Sequence, residues 1–108
     1  MIIVKGKVRF AEGEIARLKG EFEAMIGATR AEAGCASYAY SVDLLDPNLL
    51  HVAEEWASEA AMDEHMQTPQ MARLGAALGS AKIEAIWIDA YEGHYLKNVM
   101  GGDPPPAD

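Results

Sequence analysis

The run from Lys82 to Tyr91, KIEAIWIDAY, restricts the architecture more than any other stretch of the chain. It alternates as a β-strand does, yet both of its sides are apolar. Ile83, Ala85, Trp87 and Tyr91 fall on one side, and Ile86, Ile88 and Ala90 on the other. A strand in a sheet covered by helices on one side needs only one apolar face. Two apolar faces call for two covers. The simplest second cover is another sheet, and its simplest supplier is a second copy of the chain related by a two-fold axis.

The preceding elements supply the first cover. Residues Ile2 to Phe10 alternate, with Ile2, Val4, Gly6, Val8 and Phe10 on one face and Ile3, Lys5, Lys7 and Arg9 on the other. The cationic row fits either an attraction for an anionic substrate or a solvated face that discourages mispairing. After Gly13, the residues Ile15, Leu18, Phe22, Met25, Ile26 and Thr29 form one helical stripe, which Gly34 is expected to end. Cys35 to Asp43 alternates again. Ala36, Tyr38, Tyr40 and Val42 face one way, and the small Cys35, Ser37, Ala39 and Ser41 the other. Asp46-Pro47-Asn48 lies at the core of a turn spanning residues 44–48, and Leu49 to Trp56 reads as a third strand. Ser58 is a helix N-cap, and Thr68-Pro69 opens a second helix with Met71, Leu74 and Leu78 on one stripe, ending at Gly79. The order strand, helix, strand, strand, helix pair, strand predicts an α+β, ferredoxin-like βαββαβ antiparallel sheet with helices on one face.

At 108 residues the chain is expected to form one domain, residues 1–95, followed by a flexible tail, 96–108, ending in Gly101-Gly102-Asp103-Pro104-Pro105-Pro106. A net charge of -8 argues against nucleic acid and against anionic membrane surfaces. No apolar run is long enough to cross a bilayer, and Met1-Ile2-Ile3-Val4-Lys5 does not read as a signal peptide, so a cytoplasmic protein is expected. Cys35, the single cysteine, permits neither an intrachain disulfide nor a thiolate cluster. The three histidines make neither HxxxH nor HxH. A Glu54–His65–His51 metal site is disfavoured because His51 and Glu54, three apart on a strand, point to opposite faces.

Two polar residues stand out against apolar surroundings. Glu54 shares a strand face with Leu50, Val52 and Trp56. A carboxylate buried there must be hydrogen-bonded or protonated. It is either a structural group bonding backbone or the indole, or the acid or base of a pocket. His65 shares a helical face with Met62 and Met66, as a satisfied core residue or as a catalyst.

Glu32-Ala33-Gly34-Cys35 leading to Tyr38, then Asp46-Pro47, Glu54-x-Trp56, Ser58, His65 and Thr68-Pro69, form an ordered set. That set resembles the antibiotic biosynthesis monooxygenase (ABM) family, which includes small quinol monooxygenases. The resemblance covers about residues 2–92. It implies a homodimer whose sheets pack as a dimeric α/β barrel, with a pocket between sheet and helices in each protomer. It also implies oxidation of phenols, hydroquinones or polyketide-like aromatics by molecular oxygen with no metal or flavin cofactor. Trp56 and His65 match the family's Trp and His, and Glu54 its strand-end acid. On that basis His65 is the candidate base or proton shuttle, and Glu54 orients it or takes the proton. Trp56, Tyr38 and Tyr40 sandwich an aromatic ring, and Met62 and Met66 complete the substrate-binding set. Haem-degrading relatives use a ligating His on the second helix of the pair. Leu74-Gly75-Ala76-Ala77 offers none, so no haem is expected. The alternatives are an isomerase or processing enzyme for a small carbonyl or signalling metabolite, and a dimeric binding module without catalysis.

Overall fold

Period-two alternation in four segments and helical periodicity in three fix the element order. A computed structural model describes residues 1–102 and contains β1 (Ile2–Phe10), α1 (Glu14–Arg30), β2 (Cys35–Asp43), β3 (Asp46–Trp56), α2 (Glu59–His65), α3 (Pro69–Gly79) and β4 (Ile83–Glu92). The four strands form one antiparallel sheet in the order β2-β3-β1-β4. This is the expected ferredoxin-like βαββαβ arrangement. Part of the expected tail, residues 103–108, lies outside the described residues. Residues 93–102 leave the sheet without regular secondary structure. Among the described residues no helix is long and apolar enough to cross a membrane.

Strand register explains how the core is assembled. Val4 stands opposite Glu54 and Ala90, Gly6 opposite Val52 and Ile88, and Val8 opposite Leu50 and Ile86. On the far side of β3, Tyr38 faces Glu54 and Tyr40 faces Val52. These rows make the inner face of the sheet. Leu18, Phe22, Met25 and Thr29 are the buried stripe of α1, as its periodicity predicts, and Leu74 is the buried residue of α3. Arg30, in the last turn of α1, donates from Nε to the carbonyl oxygen of Tyr38 at 2.8 Å and ties the helix end to β2.

Two expected boundaries are corrected. The first helix ends at Arg30 rather than at Gly34, because the chain closes into tight turns: Glu32 N–H donates to the Thr29 carbonyl and Cys35 N–H to the Glu32 carbonyl. Gly34 serves a different purpose, since a Cβ there would stand 2.3 Å from Ala61 Cβ, so a side chain would push α2 away. The β2–β3 hairpin is also tighter than expected. β3 starts at Asp46, and only Leu44 and Leu45 form the turn. Asp43 Oδ2 accepts the Leu45 N–H at 2.9 Å, an Asx-type turn that replaces the glycine such loops usually carry. Pro47 fits inside β3 because the pairing with β2 is irregular between Val42 and Asp43 and the pairing with β1 stops at Leu49.

β4 pairs with β1 alone and is one of the two sheet edges. Ile86, Trp87, Ile88 and Tyr91 are about half exposed, so the strand that is apolar on both sides is left partly bare within one chain. Its close seat on β1 depends on Gly6. A Cβ at that position would lie 2.6 Å from Ile88 Cγ1 and 2.9 Å from the Trp87 carbonyl oxygen. The carbonyl cannot yield without moving the strand. Gly6→Ala is therefore expected to destabilise the fold by about 1–3 kcal/mol, the usual cost of overpacking. A lowered urea midpoint at unchanged m-value would register it.

Candidate active site

A cavity of about 410 Å³ lies between the inner face of the sheet and the helices. Val4, Val8, Phe10, Leu50, Val52, Ile86 and Ile88 form its floor, and Phe22, Met62, Met66, Met71, Leu74 and Leu78 its roof. Polar groups enter the wall from few places: Tyr38 and Tyr40 from β2, Glu54 from β3, His65 from α2 and Asp89 from β4. Six of the seven residues singled out in the sequence, Tyr38, Tyr40, Glu54, Met62, His65 and Met66, are in this wall. Trp56 is not. Its side chain is fully buried behind the wall, so it is not placed to sandwich a ring in the cavity.

The buried indole organises its neighbours instead. Trp56 Nε1–H donates to Glu54 Oε1 at 2.9 Å. The imidazole of His65 packs on the indole with ring centroids 4.6 Å apart and planes inclined by 33°. Tyr38 meets that imidazole edge-on at 5.4 Å. The backbone at His65 is fixed as well. Ser58 caps α2 by accepting from Ala61 N–H at 3.1 Å. At the far end, Thr68 Oγ1 donates to the His65 carbonyl at 2.8 Å and accepts from Met71 N–H, joining the end of α2 to the start of α3. Both caps were legible in the sequence.

The sequence reading offered Glu54 as the group that orients His65. The structure places a different carboxylate there. Glu32 Oε2 lies 2.7 Å from His65 Nδ1, while the hydrogen bond of Glu54 goes to Trp56. Glu32 was visible only as part of the Glu32-Ala33-Gly34-Cys35 motif. It lies in the turn after α1, where no periodicity assigns a face. The available signal was register: Cys35 pairs with Trp56, so the turn before Cys35 must run past the Trp56 end of β3.

Tyr38 and Tyr40 share a hydrogen bond at 2.6 Å between their hydroxyls. Burial pushes both phenols up, Tyr40 to about 12 and Tyr38 further; the bond between them opposes the shift for Tyr40. Both therefore stay neutral near pH 7 and act as hydrogen-bond donors or acceptors, not as bases. Burial also raises the Glu54 carboxyl above its ordinary range, against the opposing effects of the Trp56 bond and the nearby His65. Among the described residues no group of three or more His, Cys, Asp and Glu is placed to hold a metal ion.

The raised Glu54 carboxyl has a consequence for stability. The folded protein holds the Glu54 proton more tightly than the unfolded chain, so its contribution to stability is highest below the unfolded value of 4.5. That contribution falls as pH rises through the higher folded value. Glu54→Gln removes the titration and should flatten the decline. Urea unfolding of both proteins across pH 4 to about 8 would check this. Parallel curves would place the decline elsewhere.

A four-stranded antiparallel sheet with helices on one face, enclosing a cavity with one polar end, defines an α+β domain of the ferredoxin-like class. The chain belongs to the antibiotic biosynthesis monooxygenase family, whose model matches residues 1–77. A crystal structure from Deinococcus radiodurans, of a protein provisionally named an antibiotic biosynthesis monooxygenase, superposes with a TM-score of 0.86 at 31% identity, covering 94% of this chain and all of that one. Protein PA3566 of Pseudomonas aeruginosa superposes with a TM-score of 0.77 at 26% identity, covering 87% of this chain and 94% of its own. An uncharacterised Synechocystis sp. protein, sll1783, is 31% identical over 68 residues, 63% of this chain. The matched stretch is 46% of that protein's length.

Proposed function

We propose that the protein is a cofactor-independent monooxygenase that oxidises a phenolic, hydroquinone or polyketide-like aromatic with molecular oxygen. The observation that supports this best is the cavity itself: about 410 Å³, walled by aliphatic, aromatic and methionine side chains, with His65, Glu54 and Tyr40 together in its lining. A fused aromatic ring fits the apolar wall, and methionine sulfurs pack well against ring edges. A phenolic proton then meets the imidazole of His65, the side-chain type most often used as a general base. Once deprotonated, the electron-rich ring is itself the reductant of oxygen. For an anthrone-like ring the balance is a ring CH2 plus O2 giving a ring carbonyl plus water. One oxygen atom enters the product, the other leaves in water, and all the electrons come from the substrate. The protein binds, deprotonates and orients.

The same reading includes a homodimer, supported by the half-bare apolar edge strand β4 and the exposed Tyr95, Leu96, Val99 and Met100 that follow it. Sedimentation should give twice the chain mass at micromolar concentration, and a monomer there would remove this part of the proposal.

The test of the activity is oxygen uptake by metal-stripped protein given reduced naphthoquinols, benzoquinols, catechols and an anthrone. Uptake well above autoxidation is expected for at least one class. No uptake across the panel would favour the oxygen-independent proton shuttle, a reading supported by Glu54 and His65 both lining the cavity, or a binding module.

A further inference from the structure

Glu32 is not part of the cavity wall, yet it is hydrogen-bonded to the one imidazole that is. We infer that Glu32, held in place by Gln70, is a positioning residue that fixes His65 as the Nδ1–H tautomer, so that Nε2 offers its lone pair to a molecule in the cavity. The inference rests on the reading of His65 as the base of the site, and it adds the group that sets the state of that base.

Donor and acceptor chemistry assigns the proton. The Gln70 Nε2 amide donates to Glu32 Oε2 at 3.1 Å, the same oxygen that stands 2.7 Å from His65 Nδ1. The reverse orientation of the amide would set two acceptors against each other. That oxygen therefore receives Gln70, and a carboxylate oxygen receiving one N–H has further lone-pair capacity for a second, but no proton to give. Nδ1 is the donor. In a neutral imidazole the other nitrogen is then the acceptor.

The ring has little freedom to escape this assignment. It is buried, lies on the Trp56 indole and is met edge-on by Tyr38. Its backbone carbonyl is held by Thr68. Turning the ring over would place a carbon against Glu32 and lose a charge-assisted bond. Glu32 lies 33 residues before His65 and Gln70 five after it, so the turn after α1 and the first turn of α3 converge on one imidazole. Outer groups of this kind fix tautomer and orientation wherever a histidine acts through its other nitrogen.

The test is 15N NMR of histidine-labelled, ligand-free protein at about pH 8, above the ordinary imidazole range. The wild type should show the Nδ1–H pattern at His65. Glu32→Leu should move it toward the Nε2–H pattern that a free neutral imidazole prefers. Glu32→Gln, whose amide oxygen still accepts, should keep the Nδ1–H pattern. Circular dichroism confirms that each variant is folded. Where a substrate is in hand, Glu32→Leu should lower kcat by roughly 10- to 100-fold with KM little changed, and Glu32→Gln should recover most of the loss. An Nε2–H pattern in the wild type, an unchanged pattern in folded Glu32→Leu, or no recovery in Glu32→Gln would overturn the inference. The NMR result needs no turnover, so it judges Glu32 even if the oxygenase reading fails. Loss of that reading, in turn, shows as absent oxygen uptake with the tautomer intact.

Discussion

Replacing His65 with alanine or glutamine is expected to lower the rate of oxygen uptake by about 10²- to 10⁴-fold, the usual contribution of a positioned general base. The two substitutions separate chemistry from packing. Alanine removes the imidazole that lies on Trp56 and leaves a void at a buried position. Glutamine fills much of that volume and keeps a group able to bond Glu32, but it does not take a proton near neutral pH. Turnover lost in both, with the glutamine variant near wild-type stability, assigns the effect to proton transfer. Turnover retained within about threefold in the glutamine variant, too small a loss for a general base, would remove His65 from the chemistry and leave the carboxyl groups of the cavity wall, Glu54 and Asp89, as the candidates. Tyr38 and Tyr40 cannot replace these groups as a base, because burial holds both phenols neutral far above working pH. Both hydroxyls belong to the polar part of the cavity wall, where they bond each other.

Alternation places a side chain on a face of a sheet but says little about its depth. Period two put Tyr38 with Tyr40 on one face of β2 and Glu54 on one face of β3, and register then brought Tyr38 directly opposite Glu54. Trp56 was assigned by the same rule to the same face. It lies at the end of β3, opposite Ile2 and Cys35, and is wholly buried behind the cavity wall. Depth depended on where the residue falls along the strand and on what packs above it, neither of which a period reports. His65 was legible because Ser58 and Thr68-Pro69 bracket a short helix and so fix its phase. Glu32 was not legible as a partner of His65, since its position follows from a turn and from contacts 33 and 38 residues away. The hairpin was misjudged for a related reason. Asp43 supplies by side chain the turn geometry that a glycine usually supplies by backbone, and Pro47 is tolerated in β3 where pairing is already interrupted.

The burial of Trp56 leads to the largest stability effect expected of a single substitution here. Trp56→Ala should cost about 3–5 kcal/mol through lost contacts and the cavity left behind. A domain of this size has only about 5–15 kcal/mol in all, so the variant is expected to be marginal. Trp56→Phe isolates the polar part of the loss. It keeps most of the ring but removes the indole N–H that Glu54 accepts at 2.9 Å. An acceptor left buried without its donor costs about 1–3 kcal/mol. This part should depend on pH. The Trp56 bond is one of the influences that hold the Glu54 carboxyl down against burial, so without it the carboxyl rises further. Below the unfolded value of 4.5 Glu54 is protonated in both states, and the penalty for an unpaired charge is absent. As pH rises the unfolded chain ionises first, and Trp56→Phe should lose stability relative to wild type. Adding Glu54→Gln to Trp56→Phe removes the charge and should recover that pH-dependent portion, leaving the packing loss. Urea unfolding of the wild type, the two single variants and the double variant at about pH 4 and pH 7 forms a double-mutant cycle that measures the coupling. A coupling energy near zero at both pH values would mean that the indole acts on this site by packing alone.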